Sequence, residues 1–340
     1  MKIILDAMGG DNAPRAVVEG ALSAAKEFGV DIVLVGQPEA VKPLLTELSA
    51  DDPHITFVPA SEVITMEDDP STATRRKKDA SMTVALNLLR DGAGDAVISA
   101  GSTGALLTGA TLIVKRIRGI RRAAFAPVLP NGGNGVVLTD CGANVECTSE
   151  YLLQFAYMGS FYAEKILGCE KPRVALLNVG AEETKGDALR KETYALLSHA
   201  AEEGRLCFVG NAEGGDLLSG KVDVLVADGF SGNVMLKTVE GAAKFMFGGL
   251  KNIFYASTKN KLAAAVIKKD LYAFKSTLDV SEVGGTALLG INGAVIKAHG
   301  SSDARAIRSA VRQAIHFVNS GIVNEIRDNI ERMKVTAEAE

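Results

Sequence analysis

Residues 123–139, with the sequence AAFAPVLPNGGNGVVLT, set the topology of this 340-residue chain. Two runs of β-forming residues, 123–129 and 136–139, are joined by a link rich in glycine and asparagine at 131–135. A short link of this composition between two such runs is typical of a β-hairpin. We therefore predict an antiparallel pair of strands here, a feature that a plain dinucleotide-binding fold does not need.

On both sides of this hairpin, short β-forming runs alternate with amphipathic stretches. The predicted strands are residues 2–6, 31–35, 55–58, 95–99, 173–178, 205–209 and 222–226. The predicted helices are residues 14–28, 38–48, 81–90, 146–167, 187–201, 231–254, 262–274, 303–319 and 322–333. This alternation indicates a three-layer α/β/α fold with a mostly parallel sheet that contains the antiparallel hairpin.

The sequence contains no long linker and no internal repeat. We therefore predict a single domain of two sublobes over residues 1–335, followed by a tail at 336–340. A helical hairpin is expected to leave this domain at about residues 244–275. A cleft between the two sublobes is the expected place for a ligand.

Composition and charge exclude several classes of protein. The formal net charge of −4 argues against a nucleic-acid binder, whereas basic clusters at 75–78, 115–122 and 259–269 suit an anionic partner. The first apolar run is too short for a secretion signal, and no segment reaches about 20 apolar residues, so we expect a cytoplasmic protein. The four cysteines form no CxxC pair, so we assign no disulfide and no metal.

Glycine-rich loops follow several predicted strands, at the places where ligands of open α/β sheets collect. After the first strand, Gly9 and Gly10 allow a ligand to approach the backbone beside Asp6. A tight turn with a satisfied carboxylate is an equal alternative. The loop is not GxGxxG, and no matching acidic residue follows the second strand, so a dinucleotide site is disfavoured.

A second loop opens a helix with small hydroxylated residues and glycine. Ser102, Thr103 and Gly104 suit a phosphate or an oxyanion, because the N–H groups and the dipole at a helix N-terminus favour negative charge. Ser102 can also act as a simple cap. Asn144, in a similar loop ahead of the next helix, is a further candidate for substrate binding.

Three later loops carry polar side chains that suit acyl or phosphoryl chemistry. Lys185 lies in a glycine-bounded loop, from which it can reach a phosphate or polarise a carbonyl group, or simply be a surface lysine. Asn233 can donate its amide to a developing oxyanion or cap a helix. His299, beside Ser301, can assist proton transfer or hold its loop.

These loops together resemble one family, the acyl-carrier-protein-dependent phosphate acyltransferases of bacterial phospholipid synthesis. The matching motifs are DAMGGD (6–11), SAGxTGAL (99–106), DxGAN (140–144), NxGxExxKG (178–186), DGFxGNV (228–234), DxSExGG (279–285) and HGSS (299–302). They cover nearly the whole chain in order. Ser102 and Ala287 stand where many family members carry Asn and Pro.

The resemblance implies a homodimer with a fold related to isocitrate and isopropylmalate dehydrogenases and to phosphotransacetylase. It implies transfer of an acyl group from acyl carrier protein to inorganic phosphate, without a cofactor, and delivery of the acyl phosphate to a membrane acyltransferase that acylates glycerol phosphate. The matching residues for catalysis are Lys185, to neutralise phosphate or the oxyanion, and Asn233, to donate to the oxyanion or orient phosphate. Main-chain N–H groups of residues 102–104 would complete the anion site.

One other mechanism and three other functions compete with this interpretation. An acyl-enzyme on Cys141 is disfavoured, because nothing nearby in sequence would activate a thiolate. A phosphotransacetylase-like enzyme using acyl-coenzyme A, or a non-catalytic peripheral scaffold for lipid enzymes, is an alternative. A metal- and NAD-dependent dehydrogenase would want clustered acidic ligands and a cofactor loop, which the sequence lacks.

An amphipathic pair of helices is the predicted membrane surface. Lysines 251, 259, 261, 268 and 269 flank its apolar side chains. The apolar residues at helical spacing are Met246, Leu250, Ile253, Phe254, Ile267 and Leu271. Such a pair can lie against lipid and hold the protein peripherally at a membrane, while ordinary core or dimer packing is the alternative.

Overall fold

A computed structural model describes residues 1–48, 52–271, 274 and 284–335. Its strands are β1 (Lys2–Asp6), β2 (Asp31–Gly36), β3 (Ile55–Pro59), β4 (Ala96–Ser99), β5 (Ala124–Ala126), β6 (Val128–Leu129), β7 (Val136–Thr139), β8 (Arg173–Leu177), β9 (Cys207–Ala212), β10 (Val224–Val226), β11 (Thr286–Leu289) and β12 (Ala294–Lys297). Its α-helices are α1 (Arg15–Phe28), α2 (Pro38–Glu47), α3 (Ala73–Arg76), α4 (Ser81–Arg90), α5 (Thr103–Gly109), α6 (Ser149–Leu167), α7 (Ala188–Glu202), α8 (Gly229–Tyr255), α9 (Thr258–Val266), α10 (Ala304–Asn319) and α11 (Ile322–Asp328).

The strands form two sheets. The seven-stranded sheet has the order β3-β2-β1-β4-β12-β11-β5, and the five-stranded sheet has the order β6-β7-β10-β8-β9. Most neighbours are parallel, and the antiparallel pairs are β6–β7, β5–β11 and β11–β12. The predicted class, an α/β fold with mostly parallel strands and an antiparallel piece, is confirmed, although the strands make two sheets rather than one.

The predicted hairpin is present, but its first strand is shorter than expected. The run 123–129 is divided at Pro127, so Ala124–Ala126 joins the larger sheet and Val128–Leu129 joins the smaller one. Proline has no N–H for a sheet ladder, and here only its carbonyl group takes part, accepting from the Leu138 N–H at 3.0 Å. The chain therefore passes from one sheet to the other at this proline.

A second hairpin, β11–β12, was not predicted. Its two strands are four residues each, and they flank the link Gly290–Gly293. β12 pairs in parallel with β4, which places Lys297 opposite Ser99 at the carboxyl edge of the larger sheet. The hairpin therefore brings the residues after β12 beside the loops that follow β1 and β4.

The buried strands and the amphipathic helices explain why most predicted elements are found near their expected positions. All four residues of β4 and of β7 are buried, as expected for strands covered on both faces. α1 and α10 pack closely because Gly20 lacks a side chain, and a Cβ atom there would lie 2.7 Å from the Ala304 carbonyl oxygen.

The helical pair near the end of α8 differs from its prediction. The second helix was expected at 262–274, but α9 begins earlier, at Thr258, because the Ser257 hydroxyl accepts the Asn260 N–H at 3.2 Å. Residues 272 and 273 of that prediction, 279–283 of the DxSExGG motif, and the tail at 336–340 lie outside the described residues. No helix in the described ranges is long and apolar enough to cross a membrane.

Candidate active site

A cleft of about 610 Å³ lies where the two sheets meet. β5, β11 and β12 of the larger sheet contribute to its wall, and so do Cys141 after β7 and the part of α8 from Asn233 to Phe247. The sequence-predicted site residues that line it are Thr103, Asn233, His299 and Ser301. The structure therefore brings together residues from three widely separated motifs.

One end of the cleft is polar. The loop after β12 supplies His299, Ser301 and Ser302, while Thr103 comes from the start of α5. The Ser301 N–H donates to His299 Nδ1 at 3.2 Å, which favours a neutral ring with its proton on Nε2. Burial lowers the pKa of His299, and the neighbouring Lys237 charge lowers it further. The imidazole is thus a neutral N–H donor at the cleft rather than a permanent cation.

The other wall of the cleft is one face of α8. Leu236, Val239, Ala243 and Phe247 follow one another at helical spacing, and together with Phe125 they make this wall apolar. Two lysines from the same helix, Lys237 and Lys244, line the cleft beside them, and Lys237 is paired with Glu240 at 2.8 Å. The cleft therefore offers hydrogen-bonding groups and positive charge together with a long apolar strip.

Two glycines allow α8 to begin against the end of β7. The Asp228 carboxylate caps the helix by accepting the Ser231 N–H at 2.9 Å, so Asn233 is not the cap. A Cβ atom at Gly229 would lie 2.6 Å from the Asn144 carbonyl oxygen, and one at Gly232 would overlap the Asp140 carbonyl oxygen. This close approach places Asn233, exposed at the start of the second turn of the helix, at the cleft.

Asp140 joins the two sheets under the cleft. Its fully buried carboxylate accepts N–H groups from Phe125 at 3.0 Å, Cys141 at 2.6 Å and Asn144 at 2.6 Å. Burial raises the pKa of Asp140 to about 6, against the effect of these donors. The Asn144 side chain also donates to Asp140, at 2.9 Å, and to the Ala123 carbonyl at 2.8 Å. Asn144 therefore holds the framework and is not among the described residues that line the cleft.

Asp6 has a similar framework role at the carboxyl edge of the larger sheet. Its buried carboxylate accepts the hydroxyls of Ser81 and Ser99, both at 2.6 Å, and burial raises the pKa of Asp6. Gly9 and Gly10 face protein rather than open space, since a Cβ atom on Gly9 would lie 2.6 Å from the Gly101 nitrogen. The geometry matches the tight-turn alternative, in which this loop packs against the loop after β4.

The remaining predicted anion residues divide between cap and cleft. Ser102 is buried and caps α5, where its hydroxyl accepts the Ala105 N–H at 3.4 Å. Gly104 packs against Pro70, since a Cβ atom there would lie 2.8 Å from that ring. Thr103 between them is exposed and lines the cleft.

Lys185 lies apart from this cleft. It is exposed in the loop after β8, where the Asn178 amide donates to its carbonyl oxygen at 3.1 Å. Of the described residues that line the cleft, none comes from this loop. Within the described chain, the predicted catalytic pair of Lys185 and Asn233 is therefore not brought together at the cleft.

Cys141 lines the cleft but is poorly suited to nucleophilic attack. Its thiol is buried and donates to the Gly232 carbonyl oxygen at 3.3 Å. Burial raises the pKa of Cys141 well above its usual range, and the Asp140 charge raises it further. A thiolate is thus strongly disfavoured at neutral pH.

Lys297 is the cleft residue that sequence reasoning missed. It ends β12 two residues before His299 of the HGSS motif, so its position at the end of an apolar run was the available signal. Its ammonium group donates to the main-chain carbonyl of Ala100, at 3.2 Å, and to that of Ala298. Burial lowers the pKa of Lys297 to about 8.

Comparison with known proteins places this arrangement in a family. The "Fatty acid synthesis protein" family matches residues 1–325. A relative from Clostridioides difficile is 45% identical over 333 residues, which cover 98% of this chain and 97% of the relative. A relative from Oceanobacillus iheyensis is 48% identical over 332 residues, which cover 97% of this chain and 98% of the relative. Both are named phosphate acyltransferase. In fold, the chain is similar to a phosphotransacetylase from Streptococcus pyogenes, with a TM-score of 0.65 and 19% identity over 95% of this chain and 94% of that one.

Proposed function

The chain belongs to the fatty acid synthesis protein family, and we propose on this premise that it transfers an acyl group from acyl carrier protein to inorganic phosphate, forming acyl phosphate. The enzyme class is acyltransferase, in line with the name of its relatives. The product is a substrate for glycerol-phosphate acylation in phospholipid synthesis.

The observation that carries this proposal is the two-part character of the cleft. Hydroxyl, imidazole and amide groups gather at one end, where lysines add positive charge, and the apolar face of α8 leads away from them. An acyl thioester and phosphate need both environments at once, since the carbonyl group must meet the phosphate while the alkyl chain leaves water.

The reaction itself needs positioning and charge stabilisation more than a strong base. A phosphate oxygen attacks the thioester carbonyl carbon, the C–O bond forms, and the C–S bond breaks after a tetrahedral oxyanion. The departing thiolate takes up the proton that the phosphate gives up. The Asn233 amide, at the reacting end of α8, donates to this oxyanion, and Thr103 and Ser301 hold phosphate oxygens. The high pKa of the Cys141 thiol supports direct attack over an acyl-cysteine.

The acyl chain follows α8. From Asn233 to Phe247 the helix advances about 21 Å, and an extended acyl chain advances about 1.3 Å per carbon, so this wall matches roughly 16 carbons. The side chains along it are apolar except for Lys237, Glu240 and Lys244, of which the first two neutralise each other.

A homodimer is part of the proposal, and it bears on Lys185. The loop that carries Lys185 also carries Val179, and Phe230 lies at the start of α8. Val179 and Phe230 are both strongly exposed in the single chain. Exposed apolar groups of this kind suit contact with a second protomer. Lys185 keeps its proposed role in phosphate or oxyanion binding if its loop reaches a cleft in that assembly.

Peripheral membrane contact, on the cytoplasmic side, is also proposed. In the single chain Met246 is 55% exposed, Ile253 59% and Ile267 43%. The other predicted contact residues, Leu250, Phe254 and Leu271, are half-buried. An exposed apolar surface flanked by lysines suits an anionic lipid surface, from which a membrane acyltransferase could receive acyl phosphate.

A donor comparison tests the proposed function. The full chain is given phosphate with palmitoyl-acyl carrier protein in one reaction and palmitoyl-coenzyme A in another, and kcat/KM is measured for each. We expect the carrier-protein substrate to be preferred. Preference for the coenzyme A substrate would move the assignment to a phosphotransacetylase-like activity. No turnover with either donor would favour the alternative that the protein is a non-catalytic scaffold for lipid enzymes.

A further inference from the structure

Lys297 is a half-buried cation that has no carboxylate partner among the described residues. It ends β12, and the larger sheet places it opposite Ser99 at the edge of the cleft. Two of its three ammonium hydrogens bond to the main-chain oxygens of Ala100 and Ala298, which are neutral. Within the described residues, no carboxylate oxygen lies within 4.0 Å of its Nζ. The third hydrogen is left for a group in the cleft.

The other basic side chains in the cleft are differently placed. Lys237 is exposed and paired with Glu240 at 2.8 Å, and Lys244 is exposed two turns further along α8. For His299, burial lowers the pKa, and the Ser301 N–H that donates to its Nδ1 favours the neutral ring. A buried charge needs a partner far more than an exposed one does, because it has lost its hydration. Lys297 is therefore the basic side chain of the cleft that gains most from an anion.

Burial and the surrounding charges together determine the pKa of Lys297. Burial is the largest effect and lowers the pKa of Lys297 to about 8. The carboxylates of Asp6 and Asp11 oppose this effect, and the Lys237 charge adds to it. Asp6 is itself committed to Ser81 and Ser99, and burial raises its pKa, so it compensates Lys297 only in part. A bound dianion would supply the missing negative charge.

From this geometry we propose that Lys297 is the centre of the phosphate-binding site, where its ammonium group holds the attacking phosphate dianion between the loop after β12 and the start of α5. This inference rests on the proposed function and adds a residue and a location to it. Thr103 and Ser301 line the same cleft and can bond to the remaining phosphate oxygens. The two main-chain bonds fix the ammonium group, so little side-chain entropy is lost when phosphate binds.

The test is the binding of inorganic phosphate to the full chain without any acyl donor, measured by titration calorimetry between pH 7 and pH 9. The dissociation constant at each pH is calculated from the concentration of the phosphate dianion, so that the titration of phosphate itself does not enter the comparison. Lys297 is charged below its pKa of about 8 and neutral above it, so wild-type affinity is expected to fall by roughly tenfold over this range. An affinity that stays constant would overturn the proposal without the need for any variant.

Three variants separate phosphate binding from a structural role. Lys297→Met is expected to lose at least about tenfold in affinity at pH 7 and to lose the pH dependence. Lys297→Arg is expected to keep most of the affinity and to bind equally at pH 9, because a guanidinium stays charged. Lys171→Met, an exposed lysine outside the cleft, is the matched control and should bind like wild type. Wild-type binding by Lys297→Met, or an equal loss in the control, would overturn the proposal.

The phosphate titration, together with an assay of acyl phosphate formation, distinguishes this site from the acyl transfer itself. If phosphate binds through Lys297 but no acyl phosphate forms from acyl carrier protein, the anion site stands and the proposed function fails. If acyl phosphate forms and Lys297→Met leaves the KM for phosphate unchanged, the proposed function stands and the site is elsewhere.

Discussion

Substitution of Ala243 by tryptophan should shorten the acyl chain that the enzyme accepts. Ala243 faces the cleft from the third turn of α8 after Asn233, whereas its neighbour Ala242 is exposed and outside the cleft. Ten residues separate Ala243 from Asn233, which is about 15 Å along the helix and roughly 12 carbons of an extended chain. An indole at this point would block the carbons beyond.

The size of the fall in kcat/KM is set by the number of methylene groups that can no longer be buried along α8. A palmitoyl chain has about four carbons beyond this position, and each buried methylene is worth about 0.8 kcal/mol, so full burial would give about 3 kcal/mol. The cleft is open to solvent along one side, and half of this value, about 1.5 kcal/mol, is the more realistic loss. That corresponds to roughly a tenfold fall in kcat/KM for palmitoyl relative to lauroyl substrate.

The assay compares kcat/KM for octanoyl-, lauroyl- and palmitoyl-acyl carrier protein in wild type, Ala243→Trp and Ala242→Trp. We expect the first variant to lose activity only with the longest chain and the second to keep the wild-type profile. An equal loss with all three chains, or the same change in both variants, would refute the path along α8.

Three further substitutions test other parts of the site. Cys141→Ala should keep kcat within about twofold, because the buried, protonated thiol takes no part in attack, and a fall of a hundredfold would restore the acyl-cysteine mechanism. Asn233→Ala should lower kcat by a factor of about 10²–10³ with little change in the KM for phosphate, as expected when an oxyanion donor is lost. A change in the KM for phosphate alone would instead make Asn233 a binding residue. Gly232→Ala should lower the free energy of unfolding in urea by about 3 kcal/mol or more, because its Cβ would overlap the Asp140 carbonyl. The control Gly241→Ala, in open space on the same helix, should raise the free energy of unfolding by about 0.5–1 kcal/mol. Similar effects of the two substitutions would contradict the close approach of α8 to Asp140.

Much of the fold could be predicted because its signals are local. The apolar strands are short, buried and separated by glycine-rich turns, and the helices begin at side chains that cap them, such as Asp187 and Asp303. Two sheets instead of one could not be predicted, because the division depends on Pro127, a single residue within a run that is otherwise apolar throughout, like one buried strand.

The site was predicted in part, and the reason is the distance along the chain over which it is assembled. Thr103, Asn233, His299 and Ser301 follow strands, so a rule about strand ends was enough to select them. Lys297 was missed because its nearest partner loop, at Ala100, lies 197 residues earlier and meets it only through the pairing of β12 with β4.

Several predicted residues do not line the cleft but contact the protein around it. Asp6, Gly9, Gly10 and Asn144 lie in the motifs that carry the resemblance, but their hydrogen bonds and close contacts are with protein. Sequence patterns cannot separate a residue that touches a ligand from one that fixes the loop beside it, since both are needed for the same geometry. Lys185 and the dimer remain predictions.

Formation of acyl phosphate is the decisive observation. The full chain is incubated with palmitoyl-acyl carrier protein, with and without inorganic phosphate, and released thiol is measured while hydroxylamine traps any acyl phosphate. We predict that thiol appears only with phosphate and that the trapped hydroxamate matches it in amount. Thiol release without phosphate, or release that yields no hydroxamate, would contradict transfer of the acyl group to phosphate.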